Sequence, residues 1–473
     1  MKILFVIDRS SAFREIVRSK VLEEMTQRPG VEVVLASTKR YQIKDSDLPE
    51  GVTVKRYVVD LEPGNSLTAR FSYFLDKIFH TVSRDVACVL HPDSTLAQIR
   101  HSMLRARGKN IRNKLAYASF LASLGLRPIH FANLAERWGP YPEFTAFLKR
   151  QNPDLIVYSN MMMGQMDCLR AARRLGIPLL LDLPSWDQPT SKGPITVQPD
   201  FVVAWSQEMK EDLIRLHDIP TRSIHVGGVL YFDHYFDPPT IVSRDEYCRK
   251  MGIPPEHKIV LYSLSRIKSA PAAGGFIEKL YSMLRDSRLG FPVTLIVRAN
   301  PLDDVNALKQ EITRPDLLIQ FPTGDFDANG SDWKAGPTEA TDRIAAITYA
   351  DVMVMIQSTM VLDAACLDRP IINLAYDNNL QLDEMQSVKR IFHFNHGQLY
   401  QKLGSTWMVR NEEELGKALV TYLQDPKLHS PNRLKLIAEI DPSRDGLTYK
   451  RWVDYVIKCT EESISSRPLR SGL

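Results

Sequence analysis

The sequence has little cysteine and no cysteine pairing. Its five thiols, Cys88, Cys168, Cys248, Cys366 and Cys459, are odd in number, scattered and never spaced C-x-x-C. That argues against a disulfide scaffold or a zinc site and fits a reducing compartment. Long hydrophobic runs are missing too, since no stretch nears the roughly 18 consecutive apolar residues of a membrane span. The opening run of apolar residues through Ile7 stops at Asp8 and Arg9, too short for a signal-peptide core. It reads as a buried first strand, and the protein is expected to be cytoplasmic, with any membrane contact peripheral. A surplus of one charge is also lacking. Lys and Arg number 60 against 56 Asp and Glu, so a net charge of +4 provides no bulk footprint for nucleic acid. Neither G-x-G-x-x-G nor G-x-x-x-x-G-K-[ST] occurs, which argues against a dinucleotide-binding fingerprint and a P-loop ATPase.

What is present is a chain of 473 residues, 44% hydrophobic, long enough for two or three domains with sizeable cores. Short apolar runs alternate with helical patterns. Strands are expected at Ile3–Ile7, Val31–Ala36, Val52–Val59, Leu155–Tyr158, Leu179–Leu181 and Phe201–Ala204. A second series follows at Ile259–Leu264, Val293–Val297, Leu317–Phe321, Val352–Ile356 and Ile371–Leu374. A helix is expected over Ser10–Met25, and the last over about Thr448–Glu461 with a fraying tail. Continuously apolar strands separated by helices indicate parallel sheets covered on both faces. The two series predict an α/β protein with two doubly wound domains, jointed at the proline-rich Phe236–Thr240.

One segment is acid-free. Between Asp93 and Glu136 stand Arg100, Arg105, Arg107, Lys109, Arg112, Lys114 and Arg127, interleaved with apolar residues. Such a basic amphipathic segment, Arg100–Arg127, can meet anionic lipid headgroups, or it can be an ordinary solvated helical hairpin.

Ligands of open α/β sheets bind beyond the carboxyl ends of strands, so the residues just after each run matter most. After the Ile259 strand come Arg266 and Lys268, and after the Val293 strand Arg298 and Asn300. After the Val352 strand come Gln357, Ser358 and Thr359, leading into a helical pattern from Met360. A hydroxyl cap at a helix start, with cations from neighbouring strand ends, is a constellation for a pyrophosphate. In the first half the densest polar cluster is Ser185, Trp186, Asp187, Gln188 and Lys192, directly after the Leu179 strand. There Trp186 can wall a sugar ring, Asp187 can take a proton and Lys192 can bind an anion. The plainer alternative is a Pro/Gly-rich loop whose tryptophan packs on the core.

The run Ser185–Gly193, then Pro199-Asp200, Trp205, Leu216-His-Asp-Ile-Pro220, Gly227-Gly228 and Phe232-Asp233, resembles the S-W-D-N-x-x-x-K-G signature of bacterial glycosyltransferase-like proteins of the GT-B fold. Ser243–Cys248, Ile259–Tyr262, Ala350-Asp351, Ser358-Thr359, Asp363–Ala365, Arg369–Ile372 and Asp445-Gly446 continue the likeness, which spans about Pro153–Lys458. The resemblance implies two Rossmann-like domains facing across a cleft. An acceptor domain would span 1–236 with a basic helical insert near 94–135, and a nucleotide-sugar domain 237–445. Residues 446–473 would form a helix crossing back and a frayed tail. Gln188 replaces the usual Asn, Asp363 the frequent Glu, and Arg298-Ala-Asn300-Pro301 the commoner R-P-H-P, while the helical E-x7-E spacing of many retaining transferases is not evident across this likeness. The stereochemical outcome therefore stays open.

The expected activity is transfer of a sugar from a nucleotide-sugar to a glycan or lipid-linked acceptor in cell-surface polysaccharide or glycoconjugate synthesis, with no cofactor and no metal. Arg266, Lys268, Ser358 and Thr359 would meet the leaving-group charge, and Asp363 would hold a ribose or sugar hydroxyl. Asp187 is the first candidate for the base and Asp8 the second. A sugar-nucleotide 2-epimerase, a CDP-polyol phosphate transferase and a catalytically silent binding module on the same fold remain rivals; of the H-x-H-like or H-G histidines typical of the second, the chain has only His393-Phe-Asn-His396-Gly397, expected to be a loop touching the donor.

Overall fold

The structure is a computed structural model describing residues 1–108, 110–136, 141–162, 164–238, 241–285, 289–303, 317–326 and 333–466. Lys109, Pro239, Thr240 and the tail from 467 lie outside the described residues. Among those described, Met1–Tyr231 and the segment from Leu447 form one compact unit, and the residues from Phe232 to Gly446 form the other.

The first unit is built on seven parallel strands: β1 (Lys2–Ile7), β2 (Glu32–Thr38), β3 (Lys55–Val59), β4 (Leu155–Tyr158), β5 (Leu179–Asp182), β6 (Phe201–Ala204) and β7 (Ile224–Val226). Their order is β3-β2-β1-β4-β5-β6-β7. In the second unit come β8 (Lys258–Ser263), β9 (Val293–Arg298), β10 (Leu318–Gln320), the antiparallel ribbon β11 (Gly324–Phe326) and β12 (Trp333–Ala335), then β13 (Val352–Met355), β14 (Ile371–Leu374) and β15 (Trp407–Val409). The parallel sheet runs β10-β9-β8-β13-β14-β15. Both sheets reverse direction of winding once, between β1 and β4 and between β8 and β13. That is the order of a Rossmann-like domain, whose ligand crevice opens at the reversal.

The strands form where they do because both faces are covered. Every residue of β4, β5, β13 and β14 is buried, so no polar alternation is needed. The first core gathers Ile3, Phe5, Leu35, Val157 and Leu180 against Trp452, Val453 and Val456 of the C-terminal helix Thr448–Ser466. Gly446, just before that helix, has φ +71°, and a Cβ there would press on the backbone of Asp237. Only glycine fits this position.

One expected helix differs. The Ser10–Met25 helix is broken into Ser10–Ala12, a wide π-type turn over Phe13–Val17 and a helix over Val21–Thr26. Ser19 Oγ donates to the Glu15 carbonyl and accepts from Val21 N, competing with the backbone ladder. Preceded by the 24-residue helix Leu67–Leu90, the basic stretch near 94–135 carries the helices Thr95–Ala106, Ile111–Ser123 and Pro128–Ala135. Its ends are neutralised from outside the acid-free stretch. Arg100 forks onto Asp85 at 3.0 and 3.1 Å, and Arg127 pairs with Asp218 at 3.0 Å.

Candidate functional site

In the second unit the reversal between β8 and β13 places two loops side by side, since Met355 is in register with Ser263. Gln357 follows β13. It is 8% exposed, and among the described residues neither its amide nitrogen nor its amide oxygen has a hydrogen-bond partner. Its side chain lies on Gly397, where any Cβ would overlap the amide. The loop carrying His396 and Gly397 is thus shaped around Gln357. Ser358 Oγ accepts from Met360 N at 3.2 Å, at the start of the seven-residue helix Met360–Cys366. Thr359 makes no side-chain cap. From β8, Arg266 is half-buried, with its carbonyl holding Ser269 N and Ala270 N, and Lys268 is exposed. The Asp303 carboxyl beside Arg266 is pushed up by burial, with the Arg266 charge partly opposing this.

Three residues of the expected donor set are already engaged within the fold. Arg298 is buried, donating to Gln320 at 2.8 Å and to Glu339 at 2.5 Å, while Glu339 also accepts from Thr323 N at 3.1 Å. It clamps β9 to β10 and to the helix Glu339–Tyr349 rather than presenting a cation to a phosphate. Asp363 is buried, accepts from Tyr235 Oη at 2.6 Å and lies 3.9 Å from Arg343. Its carboxylate is directed to the protein interior, not to a ribose. Asn300 accepts from Leu302 N at 3.0 Å and so shapes its own turn.

In the first unit the cluster after β5 is a closed loop. The Asp187 carboxylate accepts from Ser185 Oγ and, at 2.8 Å, from Ser191 Oγ, and Lys192 Nζ stands 2.9 Å away. Trp186 is buried, so it packs inward instead of walling an open sugar site. Gln188 is buried with its amide oxygen unpartnered. His217 pins the loop by donating from Nε2 to the Pro189 carbonyl at 2.7 Å. Burial pushes the His217 pKa down to about 4, which keeps the ring neutral. The two motif segments Ser185–Gly193 and Leu216–Pro220 therefore hold each other.

Asp8 sits at the reversal of the first sheet, where Asn160 Nδ2, just past β4, donates to its Oδ2 at 2.8 Å. Arg9 lies 3.3 Å from the same oxygen. The sequence reading missed a buried acid pair nearby, Glu15 in the π-type turn and Asp182 at the end of β5. Asp182 accepts from Trp452 Nε1 at 3.0 Å and from Ser159 Oγ at 3.4 Å, and Arg14 reaches Glu15 at 3.4 Å. Burial raises both carboxyls, and for Glu15 the neighbouring Asp182 charge adds to it. Asp182 directly follows the strand expected at Leu179–Leu181, but only the fold brings Glu15 to it.

No family model matches the chain, and no curated protein matches it in sequence. Solved structures do match its fold. An S. aureus MnaA–UDP co-structure aligns over 100% of both chains at TM-score 0.56 and 11% identity. A glycosyltransferase from Rickettsia africae ESF-5 aligns over 98% of this chain and 99% of its own, at 0.53 and 10%. A UDP-GlcNAc 2-epimerase from Neisseria meningitidis bound to UDP-GlcNAc covers 97% of this chain and 100% of its own, at 0.51 and 12%. The chain has this GT-B-type fold of two Rossmann-like domains, as the resemblance implied.

Proposed function

We propose that the chain is a nucleotide-sugar-dependent glycosyltransferase whose donor is recognised at the carboxyl edge of β8 and β13. The observation that carries this reading is the Gln357 amide. Leaving buried polar groups unmet costs about 1–3 kcal/mol each, and a ligand offering both a donor and an acceptor removes that cost. The edge of a pyrimidine base, or a sugar hydroxyl, offers both. Two of the similar structures hold UDP or UDP-GlcNAc, which supports a uridine diphosphate sugar.

In the transfer, the acceptor hydroxyl oxygen bonds to the anomeric carbon as the bond from that carbon to the diphosphate breaks. The nucleoside diphosphate leaves with the electron pair, and Arg266 and Lys268 meet its charge. The hydroxyl proton passes to a carboxylate base. Asp8 is preferred over Asp187 by its place at the winding reversal of the first sheet, where ligands of such sheets bind; each carboxylate has a cation beside it, Arg9 at 3.3 Å and Lys192 at 2.9 Å. The acceptor is a glycan or a lipid-linked sugar.

Calorimetric titration with UDP-, GDP-, CDP- and dTDP-sugars tests the reading. A UDP-sugar is expected to bind, with affinity reduced at least tenfold in Gln357→Leu. Absence of binding by every nucleotide overturns the donor site. Conversion of a UDP-hexosamine to its C2 epimer without UDP release replaces transfer by epimerisation.

A further inference from the structure

The helix Leu67–Leu90 is packed the wrong way round for a soluble surface. Leu67, Phe71, Phe74 and Ile78, spaced four, three and four apart, lie on one helical face, and they are 84%, 62%, 58% and 43% exposed. The inward face of the same turns is Ala69, Ser72 and Asp76, with His80 half-buried. The cause is the fully buried Arg170. Its guanidinium takes Asp76 at 2.6 Å and Asp167 at 3.3 Å, and His80 adds a contact to Asp167 at 3.1 Å. Pairing that charge draws the polar side of the helix inward and leaves the apolar side in water. Contiguous apolar surface of this kind marks an interaction site.

We propose that this face docks on an anionic lipid surface, with Leu67, Phe71, Phe74 and Ile78 entering the acyl boundary. Charge selects the occupant. Between Gly64 and Ala135 the described residues expose Arg70, Lys77, Arg105, Arg107, Arg112 and Lys114, together with Arg127, which is paired with Asp218. The single exposed acid of the stretch is Asp93, which is paired with Arg215 at 3.0 Å. Arg70 and Lys77 flank the stripe itself, and Lys77 Nζ lies 4.4 Å over the Tyr73 ring. Such a cationic rim with aromatic anchors suits lipid phosphates. The stripe is about 16 Å long. Its exposed apolar area is on the order of 500 Å², below the roughly 800 Å² per partner of a stable protein interface. The acid-free segment adds exposed apolar side chains of its own, Phe120 at 63% and Leu124 at 62%, to the stripe on this helix.

The full chain is tested by co-sedimentation with vesicles of phosphatidylcholine containing one-third phosphatidylglycerol, and with phosphatidylcholine alone. Binding to the anionic vesicles is expected, falling at least tenfold in Phe71→Ser/Phe74→Ser and severalfold in Arg70→Gln/Lys77→Gln or at high salt. Circular dichroism and UDP-sugar titration check that both variants are folded. No binding by the wild type, or unchanged binding by the phenylalanine variant, overturns the proposal. So does a wild-type dimer in sedimentation equilibrium that the phenylalanine variant dissolves, because the occupant is then a second copy. Donor binding is measured separately, so failure of this proposal and of the transferase reading are distinct results.

Discussion

The two Rossmann-like units repeat one strand order, yet they finish their carboxyl edges differently. In the second, the chain leaves the β13 strand into Gln357, whose amide is buried and unmet, while Arg298 one strand beyond β8 is locked to Glu339. In the first, nearly every polar group at the edge is engaged from within: Asp187 by two serines and a lysine, Asp182 by Trp452 and Ser159, Asp8 by Asn160. A polar residue at a strand end is therefore evidence of a ligand only after its internal partners have been counted. By that measure Arg298 and Asp363 are engaged within the fold, and Gln357 is the residue on which the proposed donor site rests.

The contrast can be broken most strongly at Asp8. Asp8→Asn is expected to lower kcat by about 10²–10⁴-fold with donor affinity unchanged, as for loss of a general base. Asp187→Asn should change kcat by less than tenfold. If the two effects are reversed in a steady-state assay, the closed loop after β5 is the catalytic one. Next in size is Arg298→Met, which leaves Glu339 buried without its cation. Thermal unfolding is expected to show a loss of about 3–5 kcal/mol, typical of breaking a buried pair. A cation that merely bound phosphate would cost affinity and little stability.

The smaller effects are in pH, and the first unit carries two of opposite sign. His217 is neutral in the fold with a pKa of about 4 against an ordinary 6.5. Stability tied to it is present above 6.5 and lost as pH falls towards 4, up to about 3 kcal/mol at 1.36 kcal/mol per unit. His217→Gln, which can still donate to Pro189, should flatten that acid limb in melts between pH 7 and 4. Glu15 behaves in the other direction. Its raised pKa means that the folded state holds the proton more tightly, so stability falls as pH rises from 4.5, the ordinary value, through the folded value. Glu15→Gln should remove this slope and melt higher than the wild type at pH 8, with little difference at pH 5.

Much of the architecture was legible. Runs such as Leu155–Tyr158, Phe201–Ala204 and Ile371–Leu374 became strands with those same bounds, because a strand buried on both faces must be apolar throughout. The Ser10–Met25 helix was legible only in outline, since a single serine hydroxyl interrupts its ladder. Leu67–Leu90 escaped notice because a stripe of leucine and phenylalanine has the same period whether it faces a core or the solvent. The loops that follow the strands were legible as loops, but the sequence carries no sign that Asp363 meets Tyr235, 128 residues away.

Composition and periodicity by themselves determined the α/β class, the two parallel series and the strand ends on which ligands of such sheets bind. These are local consequences of burial, and each is decided within a few residues. The tertiary structure alone decided which polar groups are satisfied and which are left open. For Arg298 and Asp363 a partner from another element arrives within hydrogen-bond distance, and for Gln357 none does among the described residues. The direction in which an amphipathic helix points depends likewise on a distant charge, here Arg170, because an unpaired buried guanidinium costs more than a few exposed apolar side chains.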